Sequence, residues 1–322
     1  MNRRTDFLVT GGAGFIGSNL TIGLVRRGYG VRIFDNFSTG WIDNLLPVIK
    51  DVEIVEGDVR DFWMVLRAVR DVEYVVHLAA LPSVQRSVCN PLTSNEVNVN
   101  GTLHVLEAAR ISNVHRVVFA SSSSVYGDGD GGAKVETQRP NPLSPYAVSK
   151  LAAEQYCLNY HRLYGLETVS LRYFNVFGPR QNPSSEYSAV IPRFVSAALN
   201  GGAPTVYGDG EQTRDFTYIA NVVDAILLGC RAFGAAGEVL NVACGEQHSL
   251  NQLLCEIEEI ADVRLSRRYI DPRPGDVRHS LADISKAKSI LGYAPTVSFH
   301  EGLSSTYGWM RDADEGSAGD RQ

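Results

Sequence analysis

An α/β fold, with a doubly wound parallel sheet and a smaller mixed α/β domain, is predicted by three features of the 322-residue sequence. Short apolar runs alternate with helical patterns from the start to about residue 175. The first run ends in a glycine-rich turn, and loops rich in Gly, Pro, Asn and Tyr appear after Tyr173. Alternating strands and helices with short connections favour a parallel sheet with right-handed crossovers, as in Rossmann-type folds.

The glycine-rich turn follows the first predicted strand, Asp6–Thr10, and opens a helix. Gly12, Gly14 and Gly17 form G-x-G-x-x-G, and Gly11 with the last two forms G-x-x-G-x-x-G. Such glycines let the chain turn sharply, approach a pyrophosphate closely and pack the helix on the sheet. The anion then lies at a helix N-terminus. The turn therefore predicts a dinucleotide site.

Asp35 ends the second predicted strand, Val31–Asp35, 18 residues after Gly17. An acidic side chain at this point can accept hydrogen bonds from the ribose hydroxyls of an adenosine. A carboxylate there repels a 2′-phosphate, so the sequence favours NAD over NADP. The alternative interpretation is that Asp35 only caps a turn after the strand.

The later elements follow the same alternation. Four further strands are predicted, at Val52–Glu56, Tyr74–Leu78, Val117–Ala120 and Glu167–Tyr173, and later helices at Ile191–Leu199, Asn221–Ala232 and Leu250–Ile260. We expect an NAD-binding Rossmann domain at 1–175, with a returning segment near 212–240. We expect an interleaved substrate domain at 176–315, and a disordered tail at 311–322, which is acidic and rich in small residues.

Composition excludes several classes of protein. Net charge is −6 and no Lys/Arg run suggests nucleic acid. No apolar stretch is long enough to cross a membrane, and the first strand begins too early to leave room for a signal peptide. The five cysteines are scattered. They indicate reduced thiols in a cytoplasmic protein, with no metal site expected.

Ligands in parallel sheets bind at the carboxyl ends of the strands. Asp58 follows the third strand, where it can accept a hydrogen bond from an adenine amino group or act as a turn carboxylate. His77 lies inside an apolar run and is expected to be a packed strand residue.

The pair Tyr146 and Lys150 carries the predicted chemistry. Four residues apart, the two side chains lie on one face of a helix, which Pro142 and Pro145 precede. A nearby ammonium and an oxidised nicotinamide favour the phenolate, lowering a phenol pKa that is about 10 in isolation. Tyr146 would then be a general base near neutral pH. Lys150 can also hydrogen-bond the cofactor ribose.

A serine run, Ser121–Ser124, follows the fifth strand and precedes Tyr126. Hydroxyls there can stabilise charge on a reacting oxygen as its proton leaves. The glycine turn, the serine run and the Tyr146/Lys150 pair are together far more specific than any one of them.

These motifs resemble the extended short-chain dehydrogenase/reductase family, and most closely its nucleotide-sugar 4-epimerases. The resemblance covers nearly the whole chain, in the order Val9–Gly17, His77–Ala80, Asn98–Thr102, Ser144–Lys150, Leu171–Asn175, Thr213–Phe216 and Arg273–Asp283.

The resemblance implies roles for individual residues. Tyr146 would be the catalytic base, Lys150 its partner and Ser122 the catalytic hydroxyl. Residues expected to bind the cofactor are Gly11, Gly14, Phe15, Ile16, Gly17, Asp35, Asn36, Ser38, Thr39, Gly40, Asp58, Val59, Leu78, Ala79, Ala80, Asn98, Ser121, Tyr146, Lys150 and Tyr173. Residues expected to bind the substrate are Ser83, Ser122, Ser123, Ser124, Tyr146, Asn175, Val190, Val206, Tyr207, Arg214, Arg273, Asp276 and Ser280.

The same resemblance implies a reaction without net redox change. Tyr146 would deprotonate the sugar 4-hydroxyl while hydride passes to NAD, and the 4-keto sugar would turn and be reduced on its other face. A homodimer through Pro91–Ile111 and Pro145–Tyr164 is also implied. The substrate would be a UDP-sugar.

Departures from related families narrow the substrate. The Asp-Glu pair of 4,6-dehydratases is replaced here by Ser123 and Ser124, and the Glu of UDP-glucuronate decarboxylases by Ser124. Ser280 is small, and a small residue at this position resembles the pattern of epimerases that accept UDP-N-acetylglucosamine and UDP-N-acetylgalactosamine. UDP-glucose and UDP-galactose are further candidate substrates. A UDP-glucuronate 4-epimerase, another nucleotide-sugar dehydratase or reductase, and a non-catalytic NAD-binding sensor stay open.

Overall fold

The fold is given by a computed structural model that describes residues 5–128, 132–182, 189–272 and 277–319. Within these residues the strands are β1 (Phe7–Thr10), β2 (Val31–Asp35), β3 (Val52–Glu56), β4 (Tyr74–His77), β5 (Arg116–Ser122), β6 (Glu167–Tyr173), β7 (Val176–Phe177), β8 (Thr205–Tyr207), β9 (Thr213–Arg214), β10 (Thr217–Tyr218), β11 (Glu238–Val242), β12 (His248–Ser249) and β13 (Arg268–Ile270). The α-helices are α1 (Phe15–Arg26), α2 (Phe62–Val69), α3 (Val84–Cys89), α4 (Pro91–Asn95), α5 (Gly101–Ile111), α6 (Pro145–Tyr164), α7 (Val190–Leu199), α8 (Ile219–Arg231), α9 (Leu250–Ala261), α10 (Ser285–Leu291) and α11 (Phe299–Gly319).

A seven-stranded sheet lies at the centre, in the order β3-β2-β1-β4-β5-β6-β11. Every neighbouring pair in it is parallel. The strand order reverses between β1 and β4, and such a switch point opens a crevice at the carboxyl ends of the strands. The predicted doubly wound Rossmann-type sheet is confirmed.

Helices cover both faces of this sheet. On one face α1 and α8 bury side chains such as Leu20 and Ile226. On the other face α2, α5 and α6 bury Val65, Val105 and Ala153. Fully burying an aliphatic side chain of the size of valine or leucine contributes about 1.5–3 kcal/mol. These two apolar layers fix where the strand ends, and hence the crevice, lie.

A smaller layer of α7, α9 and α11 packs around Phe194, Leu253 and Leu303. Three two-stranded sheets accompany it: β7 with β10, β8 with β13, and β9 with β12. Ser249 begins α9 with a capping box, in which its side chain and that of Gln252 satisfy each other's backbone N–H. No helix in the described part of the chain combines the length and apolar character needed to cross a bilayer.

Three features differ from the sequence-based prediction. The seventh strand, β11, is new, and it follows the returning helix α8. Residues 282–293 belong to the Rossmann core, because Ala287 and Leu291 on α10 pack into it. The helix α11 extends to Gly319, into the stretch for which the sequence predicts a disordered tail. Its buried residues Leu303, Thr306 and Met310 share one helical face.

Candidate active site

A cavity of about 960 Å³ opens at the carboxyl ends of the central strands, over the switch point. Its wall begins at the glycine turn between β1 and α1. Gly11 has a positive φ of 68°, and a Cβ there would lie 2.8 Å from the backbone nitrogen of Ala79 on the neighbouring strand end. Gly14 is the N-cap of α1, with no side chain to cover the first N–H groups. The turn thus presents a helix N-terminus that suits a phosphate group.

Asp35 lies at the end of β2, buried beside this turn. Its Oδ2 accepts the backbone N–H of Ala13 at 2.9 Å, and its Oδ1 accepts that of Phe37 at 2.9 Å. The carboxylate therefore joins the glycine turn to the loop after β2 by hydrogen bonds, and it also lines the cavity. Its remaining lone pairs can accept the hydroxyls of a ribose.

Asp58 lines the same end of the cavity. Its Oδ1 accepts from Arg60 Nε at 2.9 Å, and its Oδ2 accepts from Arg60 Nη2 at 2.7 Å and from Asn36 Nδ2 at 2.9 Å. The hydrogen bond with Arg60 lowers the pKa of Asp58 to about 2. A permanently charged acceptor is thus held at the position expected for an adenine.

The catalytic candidates Ser122, at the end of β5, and Tyr146, at the start of α6, both line the cavity. Ser144 caps α6 by accepting the N–H of Ala147 at 3.2 Å, and Pro145 is the first helical residue. The N–H of Tyr146 donates to Ser87 Oγ at 3.0 Å. The start of α6 is therefore fixed from two sides.

The electrostatics of Tyr146 differ from the prediction. Burial raises the pKa of Tyr146, opposed by a hydrogen bond with Ser122. The ammonium of Lys150 donates instead to the carbonyl of Ala120 at 2.9 Å, and burial lowers the pKa of Lys150 to about 8. Because Lys150 is directed at a backbone carbonyl, the expected lowering of the Tyr146 pKa is absent from the protein alone.

His77 lies behind the cavity as a packed strand residue, as predicted. Its Nδ1 lies 2.7 Å from Thr10 Oγ1 and its Nε2 3.0 Å from Thr102 Oγ1. Burial lowers the pKa of His77 to about 3, with a smaller contribution from Lys150. The ring is therefore neutral at pH 7 and joins β1, β4 and α5.

The structure brings most of the predicted cofactor residues together. Those lining the cavity are Gly11, Gly14, Phe15, Ile16, Gly17, Asp35, Asn36, Ser38, Thr39, Gly40, Asp58, Val59, Leu78, Ala79, Ala80, Ser121, Tyr146 and Tyr173. Lys150 and Asn98 are buried behind the lining. Asn98 Oδ1 accepts the N–H of Leu81 at 2.8 Å, and its Nδ2 donates to Ser149 Oγ at 3.0 Å. Asn98 thus supports the wall of the cavity, and a contact of this residue with the cofactor stays a prediction.

The predicted substrate residues divide into two groups. Ser83, Ser122, Ser123, Tyr146 and Asn175 line the cavity. The others that are described do not line it: Ser124, Val190, Val206, Tyr207, Arg214 and Ser280. Arg273 and Asp276 lie outside the described residues.

Physical reasons for the second group are visible in the structure. Ser124 donates its hydroxyl to Ser122 Oγ at 2.9 Å, and Val206 is buried in the core of the smaller layer. The N–H of Ser280 donates to the carbonyl of Thr213 at 3.1 Å, beside Arg214. A more open pocket of about 530 Å³ lies between the loop after β8 and the loop after β13.

Further lining residues were missed by sequence reasoning. Trp41, Phe37, Arg86, Gln181 and Asn182 belong to the wall. Trp41 is 59% exposed and follows the predicted loop residue Gly40 directly. An aromatic residue next to a glycine-containing turn was the available signal. Arg86 lies three residues after Ser83, one turn along α3.

Comparison with known proteins agrees with this geometry. A family model described as GDP-mannose 4,6 dehydratase matches residues 8–306. UDP-glucose 4-epimerase of Mycolicibacterium smegmatis is 38% identical over 314 residues, which are 96% of this chain and 99% of the relative.

Solved structures are similar over the same length. UDP-N-acetylglucosamine 4-epimerase from Methanobrevibacter ruminantium, in complex with UDP-N-acetylmuramic acid, is 40% identical, with a TM-score of 0.92 and coverage of 97% of this chain and 99% of that one. The Thermus thermophilus UDP-glucose 4-epimerase complex with NAD is 39% identical, with a TM-score of 0.88 and coverage of 96% and 100%.

The fold and the site define a Rossmann-type short-chain dehydrogenase/reductase. The chain belongs to its extended, nucleotide-sugar branch, the family of the matching GDP-mannose 4,6 dehydratase model and of the UDP-sugar 4-epimerases. The resemblance predicted from the sequence is confirmed.

Proposed function

We propose that this protein is an NAD-dependent UDP-sugar 4-epimerase. One observation carries the proposal: Ser122 and Tyr146 share a single cavity with the glycine turn and Asp35. A hydroxyl pair able to move a proton therefore lies on the same wall as a dinucleotide site. Relatives that are named 4-epimerases and that match nearly the whole chain support the proposal.

The residues present fit NAD. Gly11 leaves room for a close backbone approach, and the bare N-terminus of α1 suits the pyrophosphate. Asp35 offers a carboxylate to a ribose and would repel a 2′-phosphate. When bound, NAD supplies the acceptor and donor of a hydride at the sugar C4.

The chain's own residues move the proton. Tyr146, as phenolate, accepts the proton of the sugar 4-hydroxyl and later returns it to the 4-keto oxygen. Ser122 donates a hydrogen bond to that oxygen and so stabilises developing charge. Lys150 donates to the carbonyl of Ala120 on β5, and we propose that its positive charge acts on the site from there. We also propose that the positively charged ring of a bound, oxidised cofactor would lower the pKa of Tyr146, which burial raises.

The wall disfavours elimination of water. Among the described lining residues the carboxylates are Asp35 and Asp58, both at the dinucleotide end. Ser123 lines the cavity where dehydratases are expected to carry an acid, and Ser124 bonds Ser122. Without a carboxyl pair beside Ser122, the keto sugar has no acid and base for loss of its 6-hydroxyl.

We propose UDP-N-acetylglucosamine and UDP-N-acetylgalactosamine as the preferred pair. Ser280 is small, and its N–H donates to Thr213 beside Arg214. We assign Arg214 and Arg273 to the diphosphate or uridine of the nucleotide, and Asp276 to the substrate. Val190, Val206 and Tyr207 would line the nucleotide end. The similar Methanobrevibacter enzyme, which acts on UDP-N-acetylglucosamine, supports this choice.

Turnover without added cofactor tests the proposal. Purified protein is incubated with UDP-N-acetylglucosamine, UDP-glucose or UDP-glucuronate, and the anomeric protons are followed by NMR. We expect the 4-epimer from UDP-N-acetylglucosamine, formed faster than from the other two. Faster conversion of UDP-glucose or UDP-glucuronate would reassign the substrate, and no product from any of the three would contradict the proposed function.

We also propose a homodimer through α4, α5 and α6. Leu92 on α4 and Val148 and Leu163 on α6 are 77%, 52% and 71% exposed. Burying them in an isologous helix bundle removes that surface from water. Sedimentation equilibrium should give twice the chain mass, and a Leu163→Glu variant should shift the protein toward the chain mass. A monomeric wild-type protein would contradict this arrangement.

A further inference from the structure

A buried ion pair lies directly behind the candidate catalytic residues. Glu154 on α6 is 0% exposed, and the side chain of Arg172 on β6 is 4% exposed. Arg172 Nη2 donates to Glu154 Oε1 at 2.6 Å, and Arg172 Nε donates to Oε2 at 2.9 Å. The pair is therefore bidentate, which fixes both distance and orientation.

Each member of this pair adjoins a residue of the site. Glu154 lies one helical turn after Lys150, and its Oε2 also accepts the hydroxyl of Ser121 at 2.7 Å. Arg172 precedes Tyr173. Ser121 pairs with Arg172, and Ser122 with Tyr173, as neighbours in the β5–β6 ladder. One carboxylate thus ties the catalytic helix to two strand ends that line the cavity.

The other face of Arg172 holds the segment after the serine run. Its guanidinium lies over the ring of Tyr126, 4.6 Å from the centroid. The Tyr126 hydroxyl donates to Asn241 Oδ1 on β11 at 2.7 Å. The network therefore reaches from α6 across three adjacent strands, all at their carboxyl ends.

We propose that Glu154 and Arg172 are positioning residues, which hold Ser122 and Tyr173 in register with Tyr146. A buried ion pair adds little net stability over apolar residues of similar volume, because desolvation offsets the attraction. What it adds here is a single geometry between helix and strand ends. As an inference about catalysis, it rests on the proposed epimerase function.

The chain offers a matched control in the same two strands. Arg116 and Glu167 are the first residues of β5 and β6, face each other in the ladder, and form a pair at 2.6 Å. Arg116 also donates to the carbonyls of Gly229 and Ala232. This control pair lies at the amino ends of the strands, away from the cavity, and its loss should cost at least as much stability.

The test compares Glu154→Gln/Arg172→Met with Arg116→Met/Glu167→Gln. Both double variants remove one positive and one negative charge, so neither leaves a lone buried charge; Gln keeps the shape of Glu, and Met replaces the aliphatic stem of Arg. We expect the first to keep its melting temperature but to lose about 10- to 100-fold in kcat, as misplacement by about 1 Å can cause, with little change in KM. We expect the control to melt earlier with unchanged kcat. Wild-type kcat in Glu154→Gln/Arg172→Met would overturn the proposal.

Two further measurements keep the outcome decisive. If the first double variant does not fold, Glu154→Asp keeps the charge but shortens the side chain, and wild-type kcat in that variant would likewise overturn the proposal. The second measurement is the fluorescence emission spectrum of NADH added to the protein, which reports on the cofactor site without any sugar. It should change in Glu154→Gln/Arg172→Met and not in the control; an unchanged spectrum counts against positioning. No turnover by the wild-type protein would instead count against the proposed function.

Discussion

Replacing Tyr146 with phenylalanine is expected to lower kcat by about 10²- to 10⁴-fold, the contribution of a positioned general base. The ring still fills its place on the cavity wall beside Ser122, so fold and cofactor content should stay as in the wild-type protein. The measurement is the rate of 4-epimer formation by NMR, together with the melting temperature. Wild-type turnover in Tyr146→Phe would remove Tyr146 from the mechanism.

Tyr156→Phe is the matched control for this prediction. Tyr156 lies on the same helix, α6, but is 38% exposed and does not line the cavity. Loss of its hydroxyl should leave kcat unchanged. A similar fall in both variants would mean that the helix, and not the Tyr146 hydroxyl, is disturbed.

The pH dependence of kcat/KM in the wild-type protein follows from the ionisation of Tyr146 and Lys150. Burial raises the pKa of Tyr146, so the base form becomes more abundant and the rate rises as pH increases. Burial lowers the pKa of Lys150 to about 8, so its charge is present below that pH and is lost above it. Because the gain of the base form and the loss of the Lys150 charge offset each other above that pH, we expect kcat/KM to rise up to about pH 8 and then to level off, with a decline only beyond the raised pKa of Tyr146. A rate that still rises well above that pH would contradict a role for the Lys150 charge.

Gly17→Ala is the second variant with a large expected effect. A Cβ at this position would overlap the carbonyl oxygen of Gly11 and lie 2.8 Å from the Cα of Gly12, so the turn must move. Overpacking of this kind costs about 1–3 kcal/mol, which corresponds to about 5- to 150-fold weaker cofactor binding if the turn carries the displacement. The NAD content of the purified protein, released by denaturation and quantified by absorbance, measures it.

Gly308→Ala controls for the substitution itself. A Cβ at Gly308 meets no atom within 4 Å, and the residue lies in α11, where alanine is the better helix former. This variant should keep its NAD and gain up to about 1 kcal/mol of stability. Wild-type NAD content in Gly17→Ala would show that the tight turn does not control cofactor binding.

The central sheet could be predicted because its signals are local. The bounds of β2, β3 and β6 match the apolar runs of the sequence, and the glycine turn marks the switch between β1 and α1. The strand β11 could not be predicted in the same way. Its sequence, Glu238–Val242, is also a short apolar run, but its place beside β6 depends on α8 carrying the chain back across the sheet, which no local pattern reveals.

For the site, the sequence predicts which residues lie close together but not where their side chains point. Spacing placed Tyr146 and Lys150 on one face of α6, yet it could not reveal that the Lys150 ammonium points to the carbonyl of Ala120. Likewise a motif brought Asn98 to the site, but only the packing of Leu81 and Ser149 shows that its amide faces the wall. Side-chain direction depends on neighbours that are distant in sequence.

The double use of Asp35 constrains any redesign of cofactor preference. Its two oxygens accept the backbone N–H groups of Ala13 and Phe37, so the side chain that we propose to select the nucleotide also shapes the loop beside the cavity. Exchanging it for a basic residue, to admit a phosphorylated ribose, would leave both amide protons without side-chain acceptors, and an asparagine would keep one acceptor oxygen in place of two. A change of cofactor preference is therefore expected to require a second substitution that restores the hydrogen bonds of this loop.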